Sequence, residues 1–312
     1  MTAIDFTRTH SIACENCSMR LNILAFFFAA AATFAAVTSD QQSQIDTITG
    51  AKGTYTASED VHKVTFPRND LKVSVDGRAM HPFMGLTSWA AFTSASGGQV
   101  MVMGDLTMAE DEVNAVMSVA LDNGLEVTAL HNHFFFDKPR IFFMHIGGHG
   151  TVEQMAGAVR KAIDQINAIR KARPEPAESF GGTPIAAGNS ITAAPIEKIL
   201  GAKPQENNGM VKIAIGRPAR AHGHNIGNQM GVNTWAAFAG SDDNAFVDGD
   251  FAMRESELQG TLKALRKGGI NVVAIHNHMS EEEPRYVFLH YWGKGKVADL
   301  LKGLRSALDV QK

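Results

Sequence analysis

The feature that most constrains this chain is that it is written twice. "IDTITGAKG" from Ile45 returns as "IEKILGAKP" from Ile196, "HKVTFPR" from His62 as "VKIAIGR" from Val211, and "SWAAF" (Ser88 to Phe92) as "TWAAF" (Thr234 to Phe238). Gly104-Asp105 recurs as Gly249-Asp250, and "LEVTALHNHFFFDKPRIFFMHIGGHG" from Leu125 as "INVVAIHNHMSEEEPRYVFLHYWGKG" from Ile270. The offset falls from 151 to 145 along the chain, as small loop deletions in the second copy would make it. A repeat of this length is a domain and not a solenoid unit. We therefore read a repeat domain over 45–171, a linker over 172–195 and a second repeat domain over 196–312. The stretch "RKARPEPAESFGGTPIAAGNSITAAP", rich in Pro, Gly, Ala and Ser without period, marks the joint.

Within each copy the pattern predicts short β segments, a helix, two strands of a hairpin and a closing helix. In the first copy the strands fall on Lys63–Phe66, Leu71–Val75, Thr87–Thr93 and Val100–Asp105. A capping box, Thr107 to Glu110, is expected to open the first helix, with an apolar stripe at Val113, Val116, Met117 and Ala120. The closing helix, Val152 to Ile169, places Met155, Val159, Ile163 and Ile166 on one face. Strands outnumber helices and short connections join them, so the class is α+β: two tandem homologous domains, each a mainly antiparallel sheet with two helices.

Residues 1–39 read as a secretory signal peptide. Leu21 to Val37 runs 17 residues without a charge after Arg20 and ends in small residues before "TSDQQSQ", which suits cleavage between Ala35 and Asp40. Met19 offers an alternative start with a cleaner n-region, and an uncleaved anchor is the competing reading, although the run is short for a membrane span. Cys14 and Cys17 lie upstream of it, so the mature chain would hold no cysteine and no lipoprotein anchor site. The expectation is an exported, periplasmic or secreted protein with no stable membrane insertion after cleavage. A net charge of -3 and no basic run exclude an electrostatic grip on nucleic acid.

The hairpin carries the chemistry. On a strand, alternate side chains share a face, so His131 and His133 point the same way, together with Val127 and Ala129. With Lys138 at the centre of the turn, His131 sits opposite His145 and His133 faces Phe143; with Glu283 at the centre, His276 opposes His290 beside His278. Cross-strand neighbours are roughly 4.5–5.5 Å apart at Cβ, close enough for three imidazoles to converge on zinc or another divalent transition metal. A structural histidine cluster is the other reading, weighed against the cost of burying three imidazoles without partners. The tripeptide "HNH" is not the nuclease motif of that name, which is spread over a longer ββα unit.

Other repeated residues are candidate helpers. Asp105 and Asp250 follow a glycine at the end of an apolar strand, placed to orient a histidine, to act as a base, or to sit as a helix N-terminal carboxylate. Arg140 and Arg285 follow the turn proline, where they would hold an anionic substrate or make a plain salt bridge. Trp89 and Trp235 are expected to fill core. The copies differ at His149, which becomes Lys294, and at "HGH" (His222, His224), found only in the second; His81 has no clear partner.

Taken together, "KVTFPRNDLKVSVDG", "MVMGDLTMAEDEVNAVM" and the two histidine hairpins resemble the LppY/LpqO family of bacterial exported proteins, a family of unknown function built on this duplicated unit. The likeness covers nearly all of the chain from Ile45 and implies export and the two-copy layout, but no substrate. The His-x-His strand followed by Gly147-Gly148-His149 is also similar, over about twenty residues, to the zinc-binding hairpin of acetolactate decarboxylases. The residues thus point to a divalent metal site in each repeat, His131/His133/His145 and His276/His278/His290, as in a metal-dependent hydrolase or lyase. The alternative is a periplasmic protein that binds a small molecule or cell-wall fragment without turnover.

Overall fold

The computed structural model describes residues 36–311. The expected leader, with Cys14, Cys17, Met19 and the apolar run from Leu21, lies outside the described residues apart from 36–39. Among the described residues no helix is long and apolar enough to cross a membrane.

Each repeat contributes six strands to one sheet. In the first these are β1 (Thr54–Thr56), β2 (Val61–Pro67), β3 (Thr87–Ser94), β4 (Val100–Ala109), β5 (Glu126–His131) and β6 (Ile141–Gly150); in the second, β7 (Gln205–Asn207), β8 (Met210–Gly216), β9 (Asn233–Ser241), β10 (Asn244–Arg254), β11 (Asn271–His276) and β12 (Tyr286–Gly295). The 12 strands run in the order β1-β2-β3-β4-β6-β5-β11-β12-β10-β9-β8-β7, antiparallel throughout, so the second half is the first turned about the centre. The turning point is the pair Leu130↔Ile275, the same position in the two copies. On either side of it the strands part, and side-chain amides take over. Asn114 bonds the backbone of Val272 in both directions (2.8 and 3.1 Å), and Gln259, its counterpart, does the same for Val127 (2.9 and 2.8 Å).

Three helices per repeat cover one face: α1 (Ser39–Thr49), α2 (Val113–Asp122) and α3 (Val152–Ala172), then α4 (Ala193–Leu200), α5 (Leu258–Lys267) and α6 (Val297–Leu308). The expected two helices are joined in each copy by a short opening one. Alternate strand residues such as Phe142, Met144 and Ile146 meet the helical stripes Val113/Val116/Met117 and Met155/Val159/Ile166 in a single apolar core, which also takes in Leu258, Leu262, Leu300 and Leu304 of the second repeat. One core across both copies makes the described chain one compact unit.

The expected capping box does not form. Thr107 is still strand, opposite Phe143, and its N–H is bonded to Ser88 Oγ, so α2 starts at Val113 behind Glu112. Glu112 is fully buried and holds Arg68 through two 2.8 Å bonds while accepting from the Ala109 N–H at 2.7 Å. Arg217 and Glu257 repeat the device in the second copy. Of the segment read as a strand over Leu71–Val75, only Ser74–Val75 pairs, in a small sheet with Arg78–Ala79 and Asp137–Lys138. The second copy has the matching sheet of Ala219–Ala221, His224–Ile226 and Glu282–Glu283. These small sheets tie the hairpin tips to the loops before β3 and β9.

Candidate metal centre

The histidines owe their face to a β-bulge in each copy. Between Val127 and Ala129, and between Val272 and Ala274, the register shifts by one residue. Val127 and Leu130 both enter the core, three apart, which strict alternation forbids. Val127 therefore does not share the histidine face, as simple alternation had it. The extra residue turns Ala129, His131 and the following His133 away from the helices, and in the second copy Ala274, His276 and His278 likewise.

The cross-strand register also departs from the expected one. His131 lies opposite Phe143, not His145, and His276 opposite Phe288, not His290; His145 and His290 face Ala129 and Ala274. The cause is the connection. The strands do not meet in a tight turn centred on Lys138 or Glu283, because nine residues separate β5 from β6 and part of that loop pairs into the small sheet. The displacement is two residues, an even number, so the third histidine keeps its face.

In the second repeat the side chains converge. His276 and His290 stack at 4.7 Å between ring centroids, and His278 folds back to lie flat on Phe288 at 3.6 Å. His278 Nε2 is 3.1 Å from His276 Nε2 and 3.1 Å from Asp250 Oδ2. Among the described residues, Asp250, His276 and His278 form the one group of three such side chains whose ligand atoms all lie within 4.8 Å of one another. Asp250 comes from the neighbouring β10, directly opposite His290. The Gly249 before it lies under Tyr291: a Cβ there would sit 2.2 Å from the Tyr291 hydroxyl, which donates to Trp235 O.

The proton positions follow from the partners. His278 Nδ1 is 3.1 Å from Gly231 O, and a carbonyl only accepts, so Nδ1 carries a proton and, in the neutral ring, Nε2 is bare. That bare nitrogen faces a carboxylate oxygen and another imidazole nitrogen. One proton can relieve one of these contacts; a cation seated among the three relieves both. Ligands held at 2.0–2.1 Å on a tetrahedral ion stand roughly 3.3 Å apart, close to the separations found. Burial pushes the Asp250 carboxyl up to about 6, against the opposing pull of His290 and His278. Burial, helped by His290 and His278, brings His276 down to about 4, so it is neutral at neutral pH and fit to ligate. Asp250 Oδ1 and His276 Nδ1 are buried without a hydrogen-bond partner.

The first repeat places the same residues less tightly. His131 stacks against His133 at 5.1 Å and lies 5.0 Å from His145, and His133 covers Phe143 at 3.4 Å. Asp105, opposite His145 on β4, is buried with its Oδ1 unpartnered. Burial, then the neighbouring His131, lowers the pKa of His133. No hydrogen bond links these side chains, and His133 lacks a carbonyl partner of the kind Gly231 gives His278.

Asp105 and Asp250 thus sit mid-strand beside histidines, not at a helix N-terminus. Arg140 and Arg285 are exposed and make neither a salt bridge nor a side-chain hydrogen bond among the described residues. Trp89 and Trp235 do not fill core: they are half-buried on the histidine face, each under a lysine, Lys63 or Lys212, at 4.2 Å. His224 is exposed in the small sheet and His222 in the turn before it, with His222 Nδ1 3.7 Å from Glu281, and His81 and His149 are exposed in the first copy. Sequence reasoning missed the Gly231 carbonyl, 47 residues from His278, and the stacking role of Phe288. The phenylalanine was visible as the residue two before His290; the carbonyl left no signal.

The fold and this cluster define a duplicated α+β protein with a His/Asp group on the open face of its sheet. The family model described as "Domain of Unknown Function (DUF1259)" matches it twice, over residues 43–165 and 194–310, and the chain belongs to that family. No curated protein matches it. Among solved structures, it aligns with a trimeric bacterial microcompartment shell protein, PduB, at 12% identity over 83% of this chain and 89% of that one, with a TM-score of 0.20. EtuB from Clostridium kluyveri aligns at 10% identity over the same shares, with a TM-score of 0.21. Scores this low carry neither protein's architecture over to this chain.

Proposed function

We propose that the second repeat binds one divalent transition metal ion, zinc by its donor set, through Asp250, His276 and His278, and that the protein is a metal-dependent hydrolase or lyase acting on a small molecule. The observation that carries this reading is the convergence of His276 Nε2 and Asp250 Oδ2 on His278 Nε2, each at 3.1 Å, the spacing of donor atoms around one small ion. Three protein ligands on a tetrahedral ion leave a fourth position for water or substrate, as catalytic zinc sites do. His290, stacked on His276, stands beside that position as a base or an additional ligand. The first repeat, with His131, His133, His145 and Asp105, is the weaker or vacated copy of the same site.

Export is part of the proposal, supported by the leader-like residues 1–39 and by the resemblance to LppY/LpqO proteins. The test is metal analysis of full-length protein purified without chelator. About one equivalent of zinc, manganese, iron or a similar ion is expected. Protein that neither retains metal nor takes it up on dialysis would leave a structural histidine cluster.

A further inference from the structure

Beside the cluster, between the two repeats, lies a cavity of about 390 Å³. His290 lines it, and so does Val273, the residue that the bulge in β11 throws outward and leaves 42% exposed. Its roof comes from the segment joining the repeats. Phe180 of that segment stacks on Trp292 at 5.1 Å and 16°. The segment is pinned on one side by the Ala177 N–H to Asp111 (3.2 Å) and on the other by Lys294 to Gly181 O (3.2 Å). This joining segment occurs once in the chain, so the duplication does not repeat its roof.

The walls select for charge. Glu110 of the first repeat and Asp248 of the second line the cavity, both exposed and neither in an ion pair among the described residues. No lysine or arginine lines it, and the remaining surface is aromatic and aliphatic but for the His290 imidazole and Asn114, whose amide is committed to Val272. Two carboxylates without counter-ions, in a lining that also presents the Trp292 indole, attract a cation and repel an anion. The volume is that of a small-molecule pocket.

We propose that this cavity binds a small molecule with an apolar body and a protonated amine, its nitrogen between Glu110 and Asp248 and its body under Phe180 and Trp292. The site reverses the expectation that the exposed arginines Arg140 and Arg285 hold an anionic substrate. As the substrate pocket of the metal centre, through their shared neighbour His290, it rests on the metal reading; as a binding site it does not.

The test separates the two. Protein stripped of metal with chelator is titrated by calorimetry with three probes of one size: 2-phenylethylamine, 2-phenylethanol and phenylacetate. The amine is expected to bind at least about tenfold more tightly than the carboxylate, because two nearby carboxylates act on opposite charges. The Glu110→Gln/Asp248→Asn protein should lose that preference while keeping its circular dichroism. Binding of phenylacetate as tight as the amine, an amine preference that survives the double substitution, or no binding of any probe would each overturn the proposal. Metal content, measured separately on untreated protein, reports on the metal reading alone.

Discussion

Asn114 and Val272, 158 residues apart and on different repeats, are joined by two hydrogen bonds that would belong to a neighbouring strand if the sheet were regular there. Gln259 repeats the bond pair at Val127. Removing either amide leaves a buried backbone N–H and C=O unmet.

Asn114→Ala and Gln259→Ala are each expected to lower stability by about 1–3 kcal/mol, the cost of buried polar groups without partners. Because one core spans both copies, unfolding in guanidinium should remain a single transition in both variants. Two separated transitions would show that the repeats are independent.

Asp250→Ala and His278→Ala should each remove the bound metal, whereas His133→Ala should leave about one equivalent in place, since its cluster lacks a tightly gathered ligand set. Plasma mass spectrometry of the three purified variants checks this. Loss of metal from His133→Ala alone would move the site to the first repeat.

Metal affinity should fall about tenfold per pH unit below pH 6 and more steeply below pH 4, as protons compete first for Asp250 and then for His276. In metal-free protein the two groups oppose each other. Asp250, raised from 3.8 to about 6, makes the folded state bind the extra proton, so stability rises as pH falls through that window. His276, lowered from 6.5 to about 4, makes the unfolded state bind it, so stability falls over nearly the same window. Denaturation between pH 4 and 6.5 should therefore show steeper acid destabilisation in Asp250→Asn than in the parent.

Glu112→Ala should cost about 1–3 kcal/mol, because it removes the carboxylate that buried Arg68 and Arg170 share and leaves them Asp70 and Asp111 alone. Chemical denaturation measures this directly. A loss under 1 kcal/mol would mean that Asp70 and Asp111 suffice for the two arginines.

Processing by a signal peptidase is expected before Val37, a narrower window than the sequence alone suggests. Val37 is buried and donates its N–H to Asp60 at 2.7 Å, and Thr38 caps α1 with Gln41. Mass spectrometry of protein from the producing cell should find Ala36 or Val37 first; an N-terminus at Ser39 or later would contradict the cap.

The duplication and the grouping of the histidines were legible because strand alternation is local: His131 and His133 share a face whatever the distant register. Asp105 and Asp250 stood out because they recur after glycine at the end of an apolar run. The bulges were not legible, since Val127-Thr128-Ala129 alternates apolar and polar residues as a plain strand would and Val272-Val273-Ala274, apolar throughout, marks no face. Nor was the cross-strand register, which depends on a loop that pairs with residues some 60 positions away. The capping box misled for a related reason: Thr107 and Glu110 have the right spacing, but a tenth strand residue against β6 outweighs one local cap.

Leu130 meets its own counterpart, Ile275, at the centre of the sheet, and Asn114 with Val272 mirrors Gln259 with Val127. Those are the reciprocal contacts of a two-fold homodimer, in which residue i touches j and j touches i. A single repeat would end at β5 in a bare strand edge, open to any other chain able to pair with it. A protein built from one such repeat is thus expected to associate with itself through that edge, and the present chain is such a dimer with its subunits joined by a peptide. Once the halves were covalently tied they were free to diverge, and one could keep an ion while the other lost it.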